Sequence, residues 1–468
     1  MPIHPKLLLR GASAKLTLMA HSLLAPFIRS LSMSDYRGIH DCTTTFSPSV
    51  TVLFGTNGAG KTAILDCLRL LFDSMFMSLS GPAELMTAPR QERTALSRNA
   101  RSTDVSLGRH QMRCEVSFGV RWRNKKKPRN YTWPLQVAVS KRDGLAREII
   151  QPENERLVAE FFEASDEPWA EIPLTVHYTV DRASIDSSAS AIEDADRIFV
   201  SNPYEDTLTA GGATFRWFAR WFREREDAKN AAIARGTRPG WKRPTDSQLE
   251  AVRMAVEKFL PGFNDLHVQR KPAPRIAIHK GGVDLLLDQL SQGERSLIAL
   301  VADLARRLAM IGERRGAANR APLEIPAWVL IDEIELHLHP AWQRDVLTRL
   351  RRTFPNAQFI VTTHSPLILA DVPASNVRLL SRNGEELVVS EPRAPTAGRD
   401  SNAILEEVMG TPERPDKQRD ELHRIAVLID RDQLVAARRA VDRLSDTLTE
   451  KDAEIVRLRS TLQFLESP

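Results

Sequence analysis

The sequence predicts an α/β fold made of two lobes, with a short helical insert between them and a helical tail after them. Three observations support this prediction. A glycine-rich loop joins a strand to a helix near residue 55, and an apolar strand ends in two acidic residues near residue 332. Apolar residues then recur at helical spacing within residues 213–260 and again after residue 416. The apolar strand lacks polar alternation, which is typical of a parallel sheet.

Residues 55–62 have the sequence GTNGAGKT, which is the Walker A pattern of phosphate-binding loops. A strand is predicted before this loop, and a helix from about Lys61. The glycines let the loop adopt positive φ angles and turn its N–H groups toward a phosphate at the positive end of the helix. Lys61 supplies a charge for the β- and γ-phosphates of ATP, and the Thr62 hydroxyl binds Mg²⁺. The predicted nucleotide-binding residues of this loop are Gly55, Asn57, Gly58, Ala59, Gly60, Lys61 and Thr62.

The apolar strand at residues 327–331 is followed by Asp332 and Glu333, the Walker B pattern. Asp332 is predicted to hold Mg²⁺ through the water shell of the ion. Glu333 is predicted to be catalytic, because a carboxylate at this strand tip faces the γ-phosphate and can orient and deprotonate the attacking water. The alternative is a pair of acids that merely closes a strand.

Residues 290–294, with the sequence LSQGE, precede a helix with apolar residues at helical spacing. Ser291 is predicted to cap this helix and Gly293 to allow a close approach of a phosphate, with Glu294 in the same nucleotide-contacting segment. The Walker A loop already holds the phosphates of its own subunit. This segment is therefore predicted to contact the γ-phosphate of ATP held by a second subunit, so that ATP joins two copies in a homodimer or a larger assembly.

His364 follows the apolar strand at residues 358–361 and is predicted to contact the γ-phosphate as part of the catalytic machinery. His337 and His339 lie shortly after the acidic pair. We interpret their stretch as a loop that crosses the dimer interface. A zinc site is the weaker alternative, because the sequence suggests no third ligand nearby.

Several segments resemble known ATPase families. Residues 32–39, SMSDYRGI, resemble the opening strand of SMC-like and RecF-like ATPases. Residues 332–343, DEIELHLHPAWQ, resemble the overcoming-lysogenization-defect branch of the ABC ATPases. More narrowly, three segments resemble the PtuA ATPases of Septu and of certain retron anti-phage systems: residues 215–227, 248–253 and 290–297.

This resemblance implies an ABC-type P-loop ATPase head and places Arg37 among the nucleotide-binding residues. It also implies an HNH endonuclease partner of the PtuB type and, in some systems, a retron reverse transcriptase with its RNA–DNA product. The expected function is an ATPase that controls a partner HNH nuclease in anti-phage defence. A RecF- or SMC-like DNA-repair ATPase is the runner-up. An ATPase–nuclease of the overcoming-lysogenization-defect type and an ABC transporter subunit are weaker alternatives.

The composition is typical of a cytoplasmic enzyme. The 468 residues are 42% hydrophobic, which permits two to three domains with a sizeable core. The three cysteines follow no metal or disulfide spacing, which favours a reducing compartment. We expect no membrane association, since no apolar run approaches the roughly 20 residues that span a bilayer. For residues 1–25 the sequence leaves open a flexible extension or a natural start at Met19.

The net charge of +5 is modest, but residues 121–129, RWRNKKKPR, form a local basic cluster between two predicted strands. As the tip of a hairpin it could track the phosphate backbone of DNA, with Trp122 stacking on a base. A solvated loop that resists edge-to-edge aggregation explains it equally well. The glutamine that would bridge Mg²⁺ and the attacking water also stays open between Gln111 and Gln136.

The motifs divide the chain into five segments. These are an N-terminal extension (1–25), a first ATPase lobe with a strand-rich region (26–210), a helical insert (211–262), a second ATPase lobe (263–392), and a linker with a helical partner-binding region (393–468). In the last segment Asp430 and Asp432 superficially supply the Asp-x-Asp pair of a TOPRIM nuclease. Their helical surroundings and the short stretch that follows argue against that fold, so we expect no intrinsic nuclease.

Overall fold

The computed structural model describes residues 26–80, 100–120, 129–165, 172–183, 203–204, 207–208, 215–235, 244–314, 321–384, 386–412 and 414–465. The chain forms two compact units, Met1–Gly398 and Arg399–Pro468. The strands of the described residues are β1 (Ile28–Tyr36), β2 (Ile39–Thr45), β3 (Val50–Gly55), β4 (Gln111–Val120), β5 (Arg129–Val139), β6 (Ala146–Ile149), β7 (Leu174–Tyr178), β8 (Phe263–Gln269), β9 (Arg275–Lys280), β10 (Val283–Leu286), β11 (Ala327–Ile331), β12 (Ala357–Thr363), β13 (Val377–Asn383) and β14 (Glu386–Ser390).

The helices of the first unit are α1 (Lys61–Ser80), α2 (Pro152–Ala164), α3 (Phe215–Arg235), α4 (Ser247–Phe259), α5 (Gln292–Arg314), α6 (Pro340–Gln343), α7 (Val346–Thr353) and α8 (Pro366–Leu369). The helices of the second unit are α9 (Ser401–Glu407), α10 (Asp416–Asp430), α11 (Leu434–Leu448) and α12 (Ala453–Leu465). A short 3₁₀ turn, Val180–Ala183, follows β7.

The main sheet of the first unit has six strands in the order β14-β13-β3-β12-β11-β7. All neighbours are parallel except β13 and β14. Every residue of β3, β7, β11 and β12 is buried, as the apolar run at residues 327–331 predicts. Because parallel strands end at one edge of the sheet, the loops after β3, β7, β11 and β12 meet there.

Helix α1 packs over this sheet through aromatic side chains. The ring of Phe72 lies 4.9 Å from the ring of Trp328, which is fully buried in β11, and Phe118 of β4 lies 5.4 Å from Trp328. These three side chains belong to one core shared by the main sheet and a second sheet. The phosphate-loop helix is therefore fixed against the strand that carries the acidic pair.

The second sheet is antiparallel, with the order β2-β1-β4-β5-β6. Strands β4 and β5 pair from Gln111 opposite Ala138 to Val120 opposite Arg129, which confirms the two strands predicted to flank the basic cluster. Residues 121–128 of that cluster, including Trp122, lie outside the described residues.

The helical insert is confirmed as α3 and α4, and it leads into a three-stranded antiparallel sheet, β10-β9-β8. Phe218, Trp221 and Phe222 of α3 are buried and stack on one another, so their helical spacing reflects core packing. The carboxylate of Glu226 accepts from the Val268 N–H of β8 at 3.0 Å and from Arg253 of α4 at 2.8 Å. These contacts join α3 to α4 and β8.

In the second unit, α10, α11 and α12 bury their apolar faces against one another. Its core contains Ile425, Ala437, Ala440, Val441, Leu444, Ile455, Leu458 and Leu462. Asp430 ends α10, and Asp432 adopts a left-handed φ of 60° in the turn before α11. The Asp-x-Asp pair thus lies at a helix–helix turn.

Candidate functional site

The Walker A loop runs from the end of β3 to the start of α1, as predicted. Gly58 and Gly60 have φ angles of 74° and 108°, a region that side chains with a Cβ rarely adopt. Gly55 is required for a different reason, because a Cβ there would lie 2.4 Å from the Leu380 carbonyl oxygen of β13. The loop backbone therefore depends on these glycines.

Lys61 is buried beneath this loop. Its Nζ donates to the carbonyl oxygens of Gly55 and Thr56 at 2.9 and 3.0 Å. Burial lowers the pKa of Lys61, while nearby carboxylates, above all Asp332, oppose the shift. The first helical position thus places the Lys61 side-chain nitrogen at the phosphate loop.

Thr62 and Asp332 are brought together across the sheet edge. The Thr62 hydroxyl donates to the Asp332 carboxylate at 3.1 Å. Hydroxyl and carboxylate oxygens are hard donors of the kind that Mg²⁺ prefers, so the two residues fit the predicted metal role. The left-handed glycines and the buried ammonium fit a nucleotide triphosphate.

Thr362, at the end of β12, connects the two acids of the Walker B pair. Its hydroxyl donates to the Asp332 carboxylate and accepts from the Glu333 N–H at 2.7 Å. No role was predicted for Thr362 from the sequence. The signal available in the sequence was a hydroxyl at the end of the strand that follows Walker B.

Glu333 lies in the left-handed region with a φ of 45°. Its carbonyl oxygen and that of Asp332 both accept from the guanidinium of Arg182, a buried residue of the turn after β7. Sequence reasoning missed Arg182, because its role depends on the pairing of β7 with β11.

His364 follows β12, next to the same edge. Its backbone N–H donates to the carboxylate of Glu335, and Ser365 donates through its hydroxyl to the Gln343 side chain at 2.6 Å. The segment after β12 is thereby joined to the loop that follows Walker B. The contact of the His364 imidazole with a γ-phosphate stays a prediction.

His337 and His339 do not converge on a metal site. His337 has a φ of 62°, and His339 Nδ1 accepts from the Ala341 N–H at 3.2 Å as the N-cap of α6. Within the described ranges no group of three or more potential metal ligands occurs. The zinc alternative gains no support.

The LSQGE segment starts α5 with a capping box. The Ser291 hydroxyl accepts from the Glu294 N–H at 3.3 Å, and the Glu294 carboxylate accepts from the Ser291 N–H at 3.0 Å, which confirms Ser291 as a cap. Burial would raise the pKa of Glu294, but Lys280, 2.6 Å away, and Ser291 outweigh it and lower the pKa. A Cβ on Gly293 would lie 2.4 Å from the His337 carbonyl oxygen, so this glycine packs against the loop of its own chain.

Arg37, in the turn between β1 and β2, is held by two carboxylates. Its side chain contacts Asp66 of α1 at 2.5 Å and Asp104 at 2.6 Å. Its predicted contact with nucleotide stays a prediction. The two candidate glutamines bond to each other, since Gln136 donates to Gln111 at 3.1 Å across β4 and β5.

A comparison with protein families covers the region of the chain that contains this site. Residues 50–370 match the family described as "AAA domain, putative AbiEii toxin, Type IV TA system". The chain belongs to this family. The AAA-domain match begins at β3 and ends just after α8, so it contains the Walker A loop, the acidic pair and His364.

The chain is also similar to three curated relatives over most of its length. It is 29% identical to "Retron Ec83 probable ATPase" of Escherichia coli, over 83% of this chain and 77% of that protein. It is 26% identical to "Retron Vc95 probable ATPase" of Vibrio cholerae, over 83% of this chain and 80% of that protein. It is 23% identical to "Septu protein PtuA" of Bacillus thuringiensis, over 82% of this chain and 85% of that protein. The resemblance to retron-associated and PtuA ATPases is confirmed.

Solved structures of low identity match as well. An SMC head bound to the C-terminal winged-helix domain of ScpA is 16% identical, over 78% of this chain and 98% of that chain, with a TM-score of 0.43. The recombination mediator protein RecF is 12% identical, over 79% of this chain and 99% of that chain, with a TM-score of 0.38. The strand order and the helices of the described residues, together with the AAA-domain match, confirm the predicted α/β fold of a P-loop ATPase head with a helical insert and a helical tail. Among the described residues no helix combines the length and apolarity needed to cross a membrane.

Proposed function

We propose that this chain binds and hydrolyses ATP and thereby controls a partner HNH nuclease in anti-phage defence. One observation carries the ATPase part of the proposal. At one edge of the main sheet, Lys61 lies in the phosphate loop, Thr62 contacts Asp332, and Thr362 bridges Asp332 and Glu333. These are the groups that phosphoryl transfer requires: a phosphate cradle, metal-ligand oxygens and a positioned carboxylate.

The loop and its lysine are assigned to binding. The backbone N–H groups around Gly58 and Gly60 and the Lys61 ammonium would hold the phosphates. The Thr62 hydroxyl and the Asp332 carboxylate would hold Mg²⁺, which when bound neutralises charge on the phosphates. Lys61 exchanges its carbonyl acceptors for phosphate oxygens.

Glu333 is assigned to hydrolysis. Its carboxylate accepts a proton from a water molecule, whose oxygen forms a bond to the γ-phosphorus. The bond from that phosphorus to the β–γ bridging oxygen breaks, and its electron pair stays on that oxygen. The products are ADP and inorganic phosphate, with the proton taken up by Glu333. His364 is assigned to contact the γ-phosphate.

Assembly is assigned to the start of α5. The capping box of Ser291 and Glu294 and the pair of Glu294 with Lys280 fix the backbone of this segment. In the proposed homodimer the segment contacts the nucleotide of the second subunit, with Gly293 close to the phosphates.

The defence role rests on the relatives named for retrons and for Septu. By this likeness the chain works with an HNH nuclease of the PtuB type. A retron reverse transcriptase with its RNA–DNA product, or DNA itself, is a further candidate partner.

The test of ATP hydrolysis uses the full chain with Mg²⁺ and ATP. Glu333→Gln keeps the shape of the site but loses the base, so ATP affinity should be retained while phosphate release falls by about 10²- to 10⁴-fold. Glu257→Gln, at an exposed position of α4, serves as the control and should match the wild type. Phosphate release at the normal rate by Glu333→Gln would contradict the assignment.

A further inference from the structure

Arg182 reaches the Walker B acids from a distant part of the chain. β7 runs parallel to β11 with Tyr178 opposite Ile331, and the Asp332 N–H donates to the Tyr178 carbonyl oxygen at 2.9 Å. The 3₁₀ turn after β7 therefore lies beside the loop after β11. Arg182 belongs to this turn, 150 residues before Asp332.

The guanidinium of Arg182 binds backbone carbonyls on both loops. Nη1 donates to the Thr179 carbonyl at 3.0 Å and also to the Asp332 carbonyl. Nη2 donates to the Glu333 carbonyl. Arg182 is only 7% exposed, so these bonds form away from solvent. The planar guanidinium donates from two nitrogens to two successive carbonyls, whereas a lysine ammonium has a single nitrogen and lacks this fixed geometry.

The backbone that Arg182 holds is in an unfavourable conformation. A left-handed φ on a residue with a Cβ costs about 1–2 kcal/mol, so the surrounding contacts must impose it on Glu333. Thr362 binds the N–H of Glu333, and Arg182 binds its carbonyl. The two contacts fix the peptide units on either side of the Glu333 Cα.

We propose that Arg182 is a positioning residue that holds the Asp332–Glu333 backbone in the conformation from which the Glu333 carboxylate acts. This inference rests on the proposed ATP hydrolysis. It assigns Arg182 to the rate of hydrolysis rather than to nucleotide binding, because its contacts go to backbone carbonyls and not to the phosphate loop. Burial lowers the pKa of Arg182 to about 10, against the opposing charges of Asp332, Glu335 and Glu333, so the group stays charged at neutral pH.

The test compares Arg182→Ala and Arg182→Lys in the full chain. Three quantities are measured: the Kd for ATP with Mg²⁺, the single-turnover rate of hydrolysis, and the Tm. We expect the Kd to change by less than about threefold, since the phosphate loop is untouched and the Asp332 carboxylate keeps its bonds to Thr62 and Thr362. The single-turnover rate should fall by about ten- to a hundredfold, the scale of an ångström-sized misplacement. Arg182→Lys should also hydrolyse ATP more slowly than the wild type, because lysine keeps the positive charge but lacks the two-nitrogen donor geometry of the guanidinium.

A matched control is available in Arg378 of β13. It is equally buried, and it donates to the carbonyls of Thr45, Ser375 and Val377 at 2.8–2.9 Å. Arg378→Ala should lower the Tm and leave the single-turnover rate per folded molecule unchanged. Guanidinium ion added to Arg182→Ala should restore part of the rate and should have no effect on Arg378→Ala.

The outcomes separate this inference from the proposed function. If Glu333→Gln stalls hydrolysis while both Arg182 variants run at the wild-type rate, the positioning role is wrong and the ATPase assignment stands. If both Arg182 variants fold but lose ATP binding, Arg182 belongs to the binding pocket and the inference is wrong. If the wild type hydrolyses no ATP, or Glu333→Gln hydrolyses it normally, the proposed function fails and this inference fails with it.

Discussion

Lys61 experiences two opposing influences on its charge. Burial lowers its pKa, while the carboxylates of Asp332, Glu333 and Glu335 favour the ammonium form. Its Nζ is satisfied by two loop carbonyls, which are weaker partners for a cation than phosphate oxygens. In the proposed mode of ATP binding, phosphate oxygens would therefore replace these carbonyls as stronger partners of Lys61.

Substitution of Lys61 by alanine should sharply weaken ATP binding while the fold remains intact. The loss should be about 1.5–3 kcal/mol, the range for hydrogen bonds to charged groups, which corresponds to an increase in Kd of about ten- to a hundredfold. Equilibrium titration with ATP and Mg²⁺ measures it. Lys229→Ala, which removes the ion pair between Lys229 of α3 and Glu250 of α4, is the control and should bind ATP like the wild type. Normal affinity in a folded Lys61→Ala protein would rule out this pocket.

The residues that sequence reasoning found and missed differ in how their roles arise. The roles predicted for Lys61 and Thr62 follow from one contiguous loop, and the role predicted for Glu333 follows from one strand end, so local sequence is sufficient to propose them. The roles of Thr362 and Arg182 arise from strand neighbours, because β12 and β7 flank β11 in the sheet. Strand order is not written in any single segment, and these two positions therefore carried no signal strong enough to assign.

At the scale of elements, a buried ionic cluster joins β7 to α5. Asp303 of α5 accepts from Tyr178 at 3.0 Å, from Arg306 at 2.7 Å and from Arg307 at 2.8 Å. Burial alone would raise the pKa of Asp303, but Arg307 and Arg306 outweigh it and hold the pKa at about 2. The helix that begins at the LSQGE segment is thus tied to the strand whose last carbonyl binds Asp332.

Replacement of Asp303 by asparagine should destabilise the protein by about 3–5 kcal/mol, because it leaves two buried guanidinium groups without their counter-charge. Glu224→Gln, which breaks an exposed pair with Arg220, should cost less than about 1 kcal/mol. Denaturant unfolding of both variants measures the difference. Since the folded-state pKa of Asp303 is depressed, its contribution is present above its ordinary value of 3.8 and is lost as the pH falls toward 2. An Asp303→Asn protein as stable as the control would disprove the role of the cluster.

The positions of strands and helices could be predicted from the sequence better than the pairing of the strands. The alternation and helical spacing that predict β3, α1, α3, α4 and α10–α12 are local properties, and the structure confirms those elements. The pairing of β3 between β12 and β13 brings together strands separated by some 300 residues of chain. The spacing of apolar residues within one segment does not determine this strand pairing. The pairing depends instead on burial of both faces of the sheet.

At the scale of the whole molecule, the chain is organised as two units, and all ATPase motifs lie in the first. The helices after residue 416 were predicted from the sequence to form a partner-binding region. Within the second unit, α10, α11 and α12 bury apolar faces against one another. Exposed apolar side chains remain on these helices, namely Val435, Val456, Phe464 and Leu465. Their chemistry suits a protein partner better than a nucleic acid.

Truncation after Pro415 should therefore separate ATP binding from partner recruitment. It removes α10–α12 and leaves the phosphate loop, the acidic pair and His364 in place. We expect ATP affinity close to that of the full chain, with loss of co-purification of the nuclease and loss of protection against phage.

Phe464→Asp in the full chain tests the same surface without deleting a folded core, because Phe464 is 79% exposed. It should weaken capture of the nuclease while the far-UV circular dichroism spectrum and ATP binding stay unchanged. Glu450→Ala, at an exposed position between α11 and α12, is the matched control and should capture the nuclease normally. If the truncated chain still captures its nuclease at full strength, the helices only complete the fold. Nuclease recruitment would then have to be assigned to a surface of the first unit.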